Sequence, residues 1–283
     1  MSSWFFKFFT PLNDRFKILY LSLDYTIMGL SFYKYQGTGN DFVIIDNRLL
    51  HFPKEDFDLV ARLCDRKFGI GADGLILLEN DESVDFRMVY YNADGNEGSL
   101  CGNGGRCTVA FAQYLGIIQK DTTFNAIDGL HKASVDNDVI SLQMQDLTEI
   151  KEKPNYTFLD TGSPHHVQMV KNIKNFDVYN EGRKMRYGLY GQKGSNINFV
   201  EALEDNYFAV RTYERGVENE TLSCGTGVTA VALAMYHQGK ATSEKVKIKV
   251  QGGELAVKFE KNNGVYQNIY LIGPAKQVFK GEI

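Results

Sequence analysis

The chain has 283 residues, of which 43% are hydrophobic and 23% charged, a length that allows one large domain or two of ordinary size. Its net charge of −4, without a basic block, argues against nucleic acid or an anionic membrane as the main partner. Four cysteines are too few for a disulfide scaffold in a chain of this length and fit a reducing cytoplasm.

The first segment of the chain is apolar and aromatic. We interpret residues 1–29 as an N-terminal extension that is not part of the fold. Its longest uncharged apolar run, residues 18–23, is far too short to span a bilayer, and a secretory cleavage site is missing. Met28 precedes the first predicted strand and is therefore an alternative start of translation. An amphipathic helix packed on the body is the competing interpretation.

Short runs rich in β-branched and aromatic residues, mostly bounded by Gly, Asn or Asp, dominate the rest of the chain. They predict strands at 30–35, 42–46, 75–79, 86–91, 139–144, 167–170, 199–201, 209–213, 246–250, 255–259 and 269–272. Asp128-Gly129 and Gly252-Gly253 predict hairpin turns.

Three helices are predicted, at 57–65, 102–115 and 225–238. The second and third are apolar on more than one face, which is typical of buried helices. Each of these two is followed by a glycine, Gly116 or Gly239, as a helix C-terminus prefers.

Two cysteines have near-identical surroundings, Cys101 in LCGNGGRC and Cys224 in SCGTGVTA, and they are 123 positions apart. The same offset relates further pairs: Thr38-Gly39 to Thr161-Gly162, Gly71 to Gly194, Gly116 to Gly239, and Gly129 to Gly252. A constant offset indicates a duplicated domain. Cys64 and Cys107 have no counterpart and are predicted to be buried core thiols.

The repeat predicts an α+β fold of two homologous half-domains related by a pseudo-twofold axis. Each half is expected to be a mostly antiparallel, β-barrel-like sheet around one buried helix. The predicted boundaries are 30–150 for the half with Cys101 and 151–274 for the half with Cys224. Residues 275–283 are predicted to form a strand that returns to the first half.

Both cysteines are expected at helix N-termini, where the exposed N–H groups and the dipole lower a thiol pKa. The same N–H groups bind carboxylates, and neighbouring glycines allow a ligand to approach closely. An amino acid held between two such ends has its α-carbon between two sulfur atoms. One thiolate removes the α-proton and the opposite thiol protonates the other face. The pair therefore predicts a racemase or epimerase without a cofactor.

Other chemistries fit the sequence less well. GIGADG at 69–74 matches the G-x-G-x-x-G pattern, but a helix precedes it and a strand follows, the reverse of a dinucleotide site. Cys101 and Cys107 are spaced to lie on different sides of one helix, which disfavours a redox dithiol. His165 and His166 are adjacent in an extended segment and point to opposite faces, so a metal site is not predicted.

Six blocks in order resemble diaminopimelate epimerase over residues 30–275: GTGNDFVIID, GIGADGLILLE, YNADGNEGSLCGNGGRC, TGSPHHV, GSNINFVE and YERGVENETLSCGTG. The resemblance implies an isomerase that converts LL-2,6-diaminoheptanedioate to the meso isomer, in lysine and peptidoglycan-precursor synthesis. It also implies a cytoplasmic homodimer that uses no cofactor and no metal. Its ligand is a small diamino-dicarboxylate, with no nucleic-acid or membrane partner.

The resemblance also assigns roles. Cys101 is expected to be the proton donor and Cys224 the proton acceptor. Backbone N–H groups of Gly102, Asn103, Gly225 and Thr226 are expected to hold the reacting carboxylate. The matching substrate-binding residues are Asn40, Asn92, Ser163, Asn196, Glu214 and Arg215. His165 and Glu214 match positions that tune the thiol pKa values. Arg215 suits the distal carboxylate because a guanidinium binds it in bidentate fashion.

The chain departs from the family pattern at two positions. Many members have asparagine in place of Ser163 and glutamine in place of Gly74, and both changes bear on recognition of the distal end. A racemase or epimerase of the proline or hydroxyproline type is the alternative on the same fold. Phenazine-biosynthesis-type isomerases share the fold but lack the cysteine pair.

Overall fold

The structure, a computed structural model, describes residues 29–98 and 100–283, so the predictions for residues 1–28 lie outside it. Four α-helices occur in this part of the chain: α1 (Phe57–Cys64), α2 (Gly102–Tyr114), α3 (Val178–Gly188) and α4 (Gly225–His237). A short 3-10 helix covers Ile173–Asn175. No helix within the described ranges is long and apolar enough to cross a membrane.

Strands make up most of the described chain. They are β1 (Ser31–Gly37), β2 (Asn40–Asp46), β3 (Gly74–Glu79), β4 (Phe86–Asn92), β5 (Asp121–Ala126), β6 (Gly129–Asp136), β7 (Val139–Gln143), β8 (Ile150–Glu152), β9 (Thr157–Asp160), β10 (Pro164–Met169), β11 (Asn196–Glu204), β12 (Tyr207–Glu214), β13 (Asn219–Thr221), β14 (Lys245–Val250), β15 (Gly253–Asn262), β16 (Val265–Pro274) and β17 (Lys276–Glu282).

The two halves repeat one pattern of strand pairing. In the first half, β1–β2 is antiparallel, β2–β3 parallel, β3–β4 antiparallel, β4–β5 parallel, and β5–β6–β7 antiparallel. In the second half, β9–β10, β10–β11, β11–β12, β12–β14 and β14–β15–β16 follow the same order of antiparallel and parallel pairs. The duplication read from the sequence is therefore present in the topology.

The halves are joined in two ways. β7 pairs with β16 antiparallel, which makes one continuous sheet of the two. The last strands cross over: β17 pairs with β1, and β8 pairs with β9. Each half therefore completes the sheet of the other, which couples their folding.

The two long helices lie inside these sheets. α2 contacts β1, β2, β6 and β7, and α4 contacts β9, β10, β14 and β15. Both are built of small and apolar residues, so most of their side chains are buried. Such burial contributes about 1.5–3 kcal/mol for each large aliphatic or aromatic side chain. One apolar core cluster includes residues of both helices.

Both helices end in the same way, as predicted. Gly116 and Gly239 have φ values of 72° and 66°, in the left-handed region that favours glycine. The N–H of Gly116 bonds to the carbonyl of Gln113, and the N–H of Gly239 bonds to that of Tyr236. The N–H groups of the next residues reach back to Ala112 and Met235, which completes a Schellman motif in each half.

The repeat offset changes beyond the helices. The hairpin turns were predicted one residue too late: Ala126 pairs with Gly129, and Val250 with Gly253. Gly129 and Gly253 are the residues with positive φ, so they are equivalent, and Gly252 is not the partner of Gly129. The offset is therefore 124 here, because the connection after the helix is one residue longer in the second half.

Candidate active site

Cys101 and Cys224 are the N-cap residues of α2 and α4, as the sequence predicts. The helices start at Gly102 and Gly225, and these starts face each other. An ideal Cβ built on Gly225 would lie 3.3 Å from the Cα of Gly102 and 3.0 Å from Leu271 Cδ2. Any larger residue would crowd this contact, so the duplicated Cys-Gly pairs allow the two helix starts to approach closely.

A cavity of about 850 Å³ lies at this meeting point. Both cysteines line it, together with most of the residues that the resemblance marked: Asn40, Asn92, Gly102, Ser163, Asn196, Glu214, Arg215, Gly225 and Thr226. Asn103 and His165 are not on its wall. They are buried behind it, at 1% and 0% exposure, and reach the cavity through other side chains.

Amide side chains surround Cys101. Its Sγ lies 3.4 Å from Asn40 Oδ1, which also accepts from Asn103 Nδ2 at 3.2 Å. Asn40 Nδ2 donates to Asp73 at 2.5 Å, and this fixes which end of the Asn40 amide faces the thiol. Asn103 Nδ2 also donates to the carbonyl of Ser223 at 3.1 Å, which links the first half to the residue before Cys224.

A hydroxyl and an imidazole lie behind Cys224. Its Sγ is 3.5 Å from Thr226 Oγ1, and His165 Nε2 is 3.0 Å from the same oxygen. Burial, and then the charge of Arg215, lowers the pKa of His165 to about 3, so its ring is neutral near pH 7. The adjacent His166 points the other way and bonds to Tyr190 Oη at 2.9 Å, as the extended segment predicts.

The thiol pKa values differ from the expectation. We predicted that the helix N-termini lower them, but the pKa of each thiol is raised. The N–H groups of Gly104 and Gly227 do act in the expected direction. Burial outweighs them, and the carboxylate of Glu214 raises both pKa values further. Burial therefore disfavours the thiolate form of both cysteines in the substrate-free protein.

Arg215 lines the same cavity. Its Nη1 donates to the carbonyl of Lys193 at 3.1 Å, and its backbone N–H donates to Asn196 Oδ1 at 2.8 Å. Ser163 Oγ accepts from Asn196 Nδ2 at 3.0 Å and from Arg215 Nη2 at 3.4 Å. The hydroxyl of Ser163 therefore helps to position both the Asn196 amide and the Arg215 guanidinium.

Glu214 is one of the acidic residues that line the cavity. Burial raises its pKa, the charge of Asp73 raises it further, and a hydrogen bond from Thr221 at 2.9 Å lowers it. A cation beside this carboxylate, such as an ammonium group, stabilises its charged form and offsets the effect of burial.

Tyr90 lines the cavity and was not predicted. An ideal Cβ on Gly74 would lie 2.6 Å from Tyr90 Cε2 and 3.1 Å from its Oη. The ring of Tyr90 thus fills the place of a side chain at position 74. The pair Gly74 and Tyr90 carries no local signal in the sequence, because the contact joins two neighbouring strands.

Arg66, Asp73 and Arg106 were also missed. Arg66 and Asp73 line the cavity and bond to each other at 2.8 Å. Arg106 is fully buried behind it and donates to Asn103 Oδ1 at 3.0 Å. Asp73 lies inside the GIGADG block, which was the available signal. Cys64 and Cys107 are buried core thiols, as predicted, and burial raises the pKa of each to about 12.

Comparison with known proteins gives the family. The sequence profile of the family described as diaminopimelate epimerase matches residues 32–146 and 157–278. Diaminopimelate epimerase of Flavobacterium psychrophilum is 61% identical over 256 residues, which cover 90% of this chain and 100% of that protein. Diaminopimelate epimerase of Chlorobaculum tepidum is 44% identical over 260 residues, 87% of this chain and 98% of that protein.

A solved structure supports the architecture. The crystal structure of a phenazine biosynthesis protein of the PhzF family from Bacillus anthracis has a TM-score of 0.70 at 16% identity. The match covers 90% of this chain and 98% of that one. At this identity the likeness concerns the fold alone, and it confirms the predicted α+β fold. Profile and relatives together confirm the resemblance read from the six blocks: the chain belongs to the diaminopimelate epimerase family.

Proposed function

We propose that this protein is an isomerase that converts LL-2,6-diaminoheptanedioate to the meso isomer, as a step in lysine and peptidoglycan-precursor synthesis. One observation carries the proposal. Two N-cap cysteines of repeat-equivalent helices line one cavity, and the first residues of those helices are in contact. Family membership and relatives named diaminopimelate epimerase support the choice of substrate.

The reaction needs a site for one carboxylate between the two helix starts. We assign the carboxylate next to the reacting carbon to the N–H groups of Gly102, Asn103, Gly225 and Thr226. The first N–H groups of a helix have no carbonyl partner within it, so they suit an anion, and the N–H of Asn103 also interacts with the Cys101 sulfur. They also stabilise the negative charge that builds on the carboxylate as the α-proton leaves.

The proton transfer then balances between two sulfurs. The thiolate of Cys224 takes the α-proton and becomes a thiol. The thiol of Cys101 gives its proton to the opposite face of the carbanion and becomes a thiolate. The configuration at that carbon inverts, and the net charge of the pair is unchanged. Burial raises both thiol pKa values, and the positive charge of the substrate's ammonium group acts in the opposite direction in the filled site.

The other end of the substrate sets the specificity. Arg215 suits the distal carboxylate, and Asn40, Asn92, Ser163 and Asn196 suit hydrogen bonds to the remaining polar groups. Glu214 suits an ammonium group. His165 and Glu214 are assigned to tuning of the thiol pKa values. A proline-type substrate has one carboxylate and would leave Arg215 without a carboxylate to bind. This disfavours the proline or hydroxyproline alternative.

Further properties belong to the same proposal. The chain is expected to act in the cytoplasm as a homodimer, on a small molecule, without a cofactor or metal. Residues 30–150 and 151–274 are the proposed half-domains, with 275–283 returning to the first half. The pairing of β17 with β1 supports the return of 275–283 to the first half, and the proposed boundary at 150/151 lies within β8.

The test is incubation with the LL isomer in D₂O without added cofactor. We expect deuterium at one α-carbon, together with the meso isomer. Cys101→Ala and Cys224→Ala should each lower kcat by about 10²–10⁴-fold. Cys64→Ala, at a buried thiol of a separate apolar cluster, is the matched control. Wild-type rates in either active-site variant, or faster exchange with proline than with the LL isomer, are incompatible with the proposal.

A further inference from the structure

The residues behind Cys224 form a chain of hydrogen bonds with a fixed direction. Asn198 Nδ2, His165 Nδ1 and Nε2, Thr226 Oγ1 and Cys224 Sγ follow one another at 3.2, 3.0 and 3.5 Å. Asn198 lies on β11, is fully buried, and belongs to neither the predicted site nor the cavity wall. The direction of the chain decides whether Cys224 donates or accepts.

The amide of Asn198 can adopt only one orientation. Its Nδ2 lies 2.9 Å from the carbonyl of His166, and a backbone carbonyl only accepts. The atom at that place is therefore the nitrogen. Asn198 Oδ1 accepts from Thr212 Oγ1 at 2.9 Å, which completes the amide. The second hydrogen of Nδ2 points at His165 Nδ1.

The orientation of Asn198 sets the tautomer of His165. Because Nδ1 accepts, the single proton of the neutral ring is on Nε2. Nε2 then donates to Thr226 Oγ1 at 3.0 Å. Either atom of the contact between Thr226 Oγ1 and Cys224 Sγ, 3.5 Å apart, can donate. Since His165 Nε2 already donates to the hydroxyl oxygen, we infer that the one hydroxyl hydrogen is directed to Cys224 Sγ, its other partner among the described residues.

Cys101 meets the opposite polarity. Asn40 Oδ1, 3.4 Å away, only accepts, because Asn40 Nδ2 is engaged by the carboxylate of Asp73. Arg106 only donates, so Asn103 Oδ1 faces it and Asn103 Nδ2 faces Asn40. Toward Asn40 the thiol of Cys101 therefore donates, while backbone N–H groups of Asn103 and Gly104 donate to its sulfur. The two sulfurs lie at the ends of chains that run in opposite directions.

We propose that Asn198 is a positioning residue that fixes the Nε2–H tautomer of His165 and thereby makes Thr226 donate to Cys224. The arrangement favours the thiolate at Cys224 and the thiol at Cys101, which are the forms that the proposed reaction uses in the LL-to-meso direction. This inference rests on the proposed function for its meaning. Its structural part, the tautomer, is independent of any substrate.

The charged groups around the chain do not involve Asn198. Glu214 and Cys101 face Cys224, and Arg215 faces His165. Asn198→Leu replaces the amide by an uncharged group of similar size and leaves these charges in place. A change in the pKa of Cys224 in this variant is therefore attributed to loss of the hydrogen-bond chain.

The first measurement is ¹⁵N NMR of histidine-labelled protein without substrate, with the His165 signals assigned through His165→Gln. We expect a neutral ring that is protonated at Nε2 between pH 6 and pH 8, about where free histidine titrates. Protonation at Nδ1 in the wild type overturns the inference, whether or not the enzyme epimerises its substrate.

The second measurement is the pH profile of alkylation at each cysteine, followed by mass spectrometry. In Asn198→Leu the midpoint at Cys224 should rise by about one pH unit, the equivalent of one hydrogen bond. The midpoint of the alkylation profile at Cys101 should not change. Thr212→Val is the control, because it removes a partner of Asn198 Oδ1 from the neighbouring strand and keeps both Nδ2 bonds.

The outcomes are separable. The inference fails if Asn198→Leu leaves both the tautomer and the Cys224 midpoint unchanged, or if Thr212→Val moves them equally. If Asn198→Leu does not fold, Thr226→Val should raise the Cys224 midpoint and Thr226→Ser should restore it. If the wild-type protein has the Nε2–H tautomer but does not epimerise the LL isomer, the proposed function is wrong and the inference about the tautomer stands.

Discussion

The guanidinium of Arg215 is held in place by the protein itself. Its partners are a backbone carbonyl and the hydroxyl of Ser163, and its backbone N–H is fixed by Asn196. A side chain that is ordered in this way loses less conformational freedom when a carboxylate binds. The planar fork can offer two parallel N–H donors, which an ammonium group cannot reproduce.

Arg215→Lys should therefore weaken binding of a two-carboxylate substrate. Loss of one charged hydrogen bond is worth about 1.5–3 kcal/mol, so we expect KM to rise about 10–100-fold with a smaller change in kcat. Steady-state kinetics with the LL isomer measure this split. The conservative control is Ser163→Thr, which keeps the hydroxyl. An unchanged KM in Arg215→Lys would remove the arginine from the distal site.

Asp41 binds two cations at the edge of the site, Lys34 at 2.8 Å and Arg66 at 2.6 Å. Burial by itself would raise its pKa, but hydrogen bonds from Arg66 and Lys34 lower it to about 2. A carboxylate with a lowered pKa stabilises the fold above its unfolded value, near 3.8, and the contribution disappears as the pH falls toward 2.

We expect the stability to fall between pH 4 and pH 2, by on the order of 2 kcal/mol from this group. Urea unfolding at a series of pH values measures the change. In Asp41→Asn the protein should be less stable at pH 7, because Lys34 stays buried without its partner, and the acid slope should be smaller. Glu204→Gln, at an exposed end of β11, is the control. An identical acid slope in Asp41→Asn would contradict this account.

At the scale of single elements, a contact between two turns holds neighbouring hairpins together. The β14–β15 turn touches the turn between β1 and β2, because an ideal Cβ on Gly252 would lie 1.7 Å from the carbonyl oxygen of Thr38. Thr38 Oγ1 in turn bonds to Ser223 Oγ at 2.9 Å, next to Cys224. A glycine with an ordinary backbone angle is thus required for space and not for conformation.

Gly252→Ala should destabilise the protein by about 1–3 kcal/mol, since the backbone of Thr38 cannot move aside as a side-chain end could. Gly188→Ala is the matched control: it lies at the end of α3, with no atom within 4 Å of an added Cβ and no positive φ. Its effect should be neutral or slightly stabilising. Thermal unfolding of the two variants compares them. Equal melting temperatures would show that the two turns separate easily.

At the scale of the whole molecule, the halves are mutually dependent. A paired β7–β16 junction, two exchanged strands and a shared apolar core connect them. The same connections bring the two N-cap thiols to one cavity. A cavity between equivalent helix ends is a property of the pair and does not exist in either half.

Mild oxidation without substrate should join Cys101 to Cys224 and abolish activity, and a thiol reductant should restore it. The two cysteines cap helices whose first residues are in close contact, and both line one cavity, so we expect oxidation to be able to join them. Peptide mapping should find the 101–224 crosslink, with Cys64 and Cys107 still reduced. Bound substrate should slow the reaction. Inactivation that maps to another cysteine pair would refute the predicted proximity.

Much of this architecture is readable in the sequence because it is encoded locally. The Cys-Gly starts and the glycine ends located α2 and α4, and β-branched runs located most strands. α3 was missed because it is polar, with Val178, Gly182 and Arg186 as its buried residues. β5 and β6 were missed because each of them has two buried positions and is otherwise largely polar or exposed.

The sequence by itself determined the duplication, the two thiols at helix starts and the family, because repeats and caps depend on neighbours along the chain. Tertiary structure alone decided the sign of the thiol pKa shifts, since burial is set by what packs around a group. It also decided the roles available to Tyr90, Arg106 and Asn198. Their partners lie on other strands or helices, and a contact of that kind leaves no spacing pattern in the sequence.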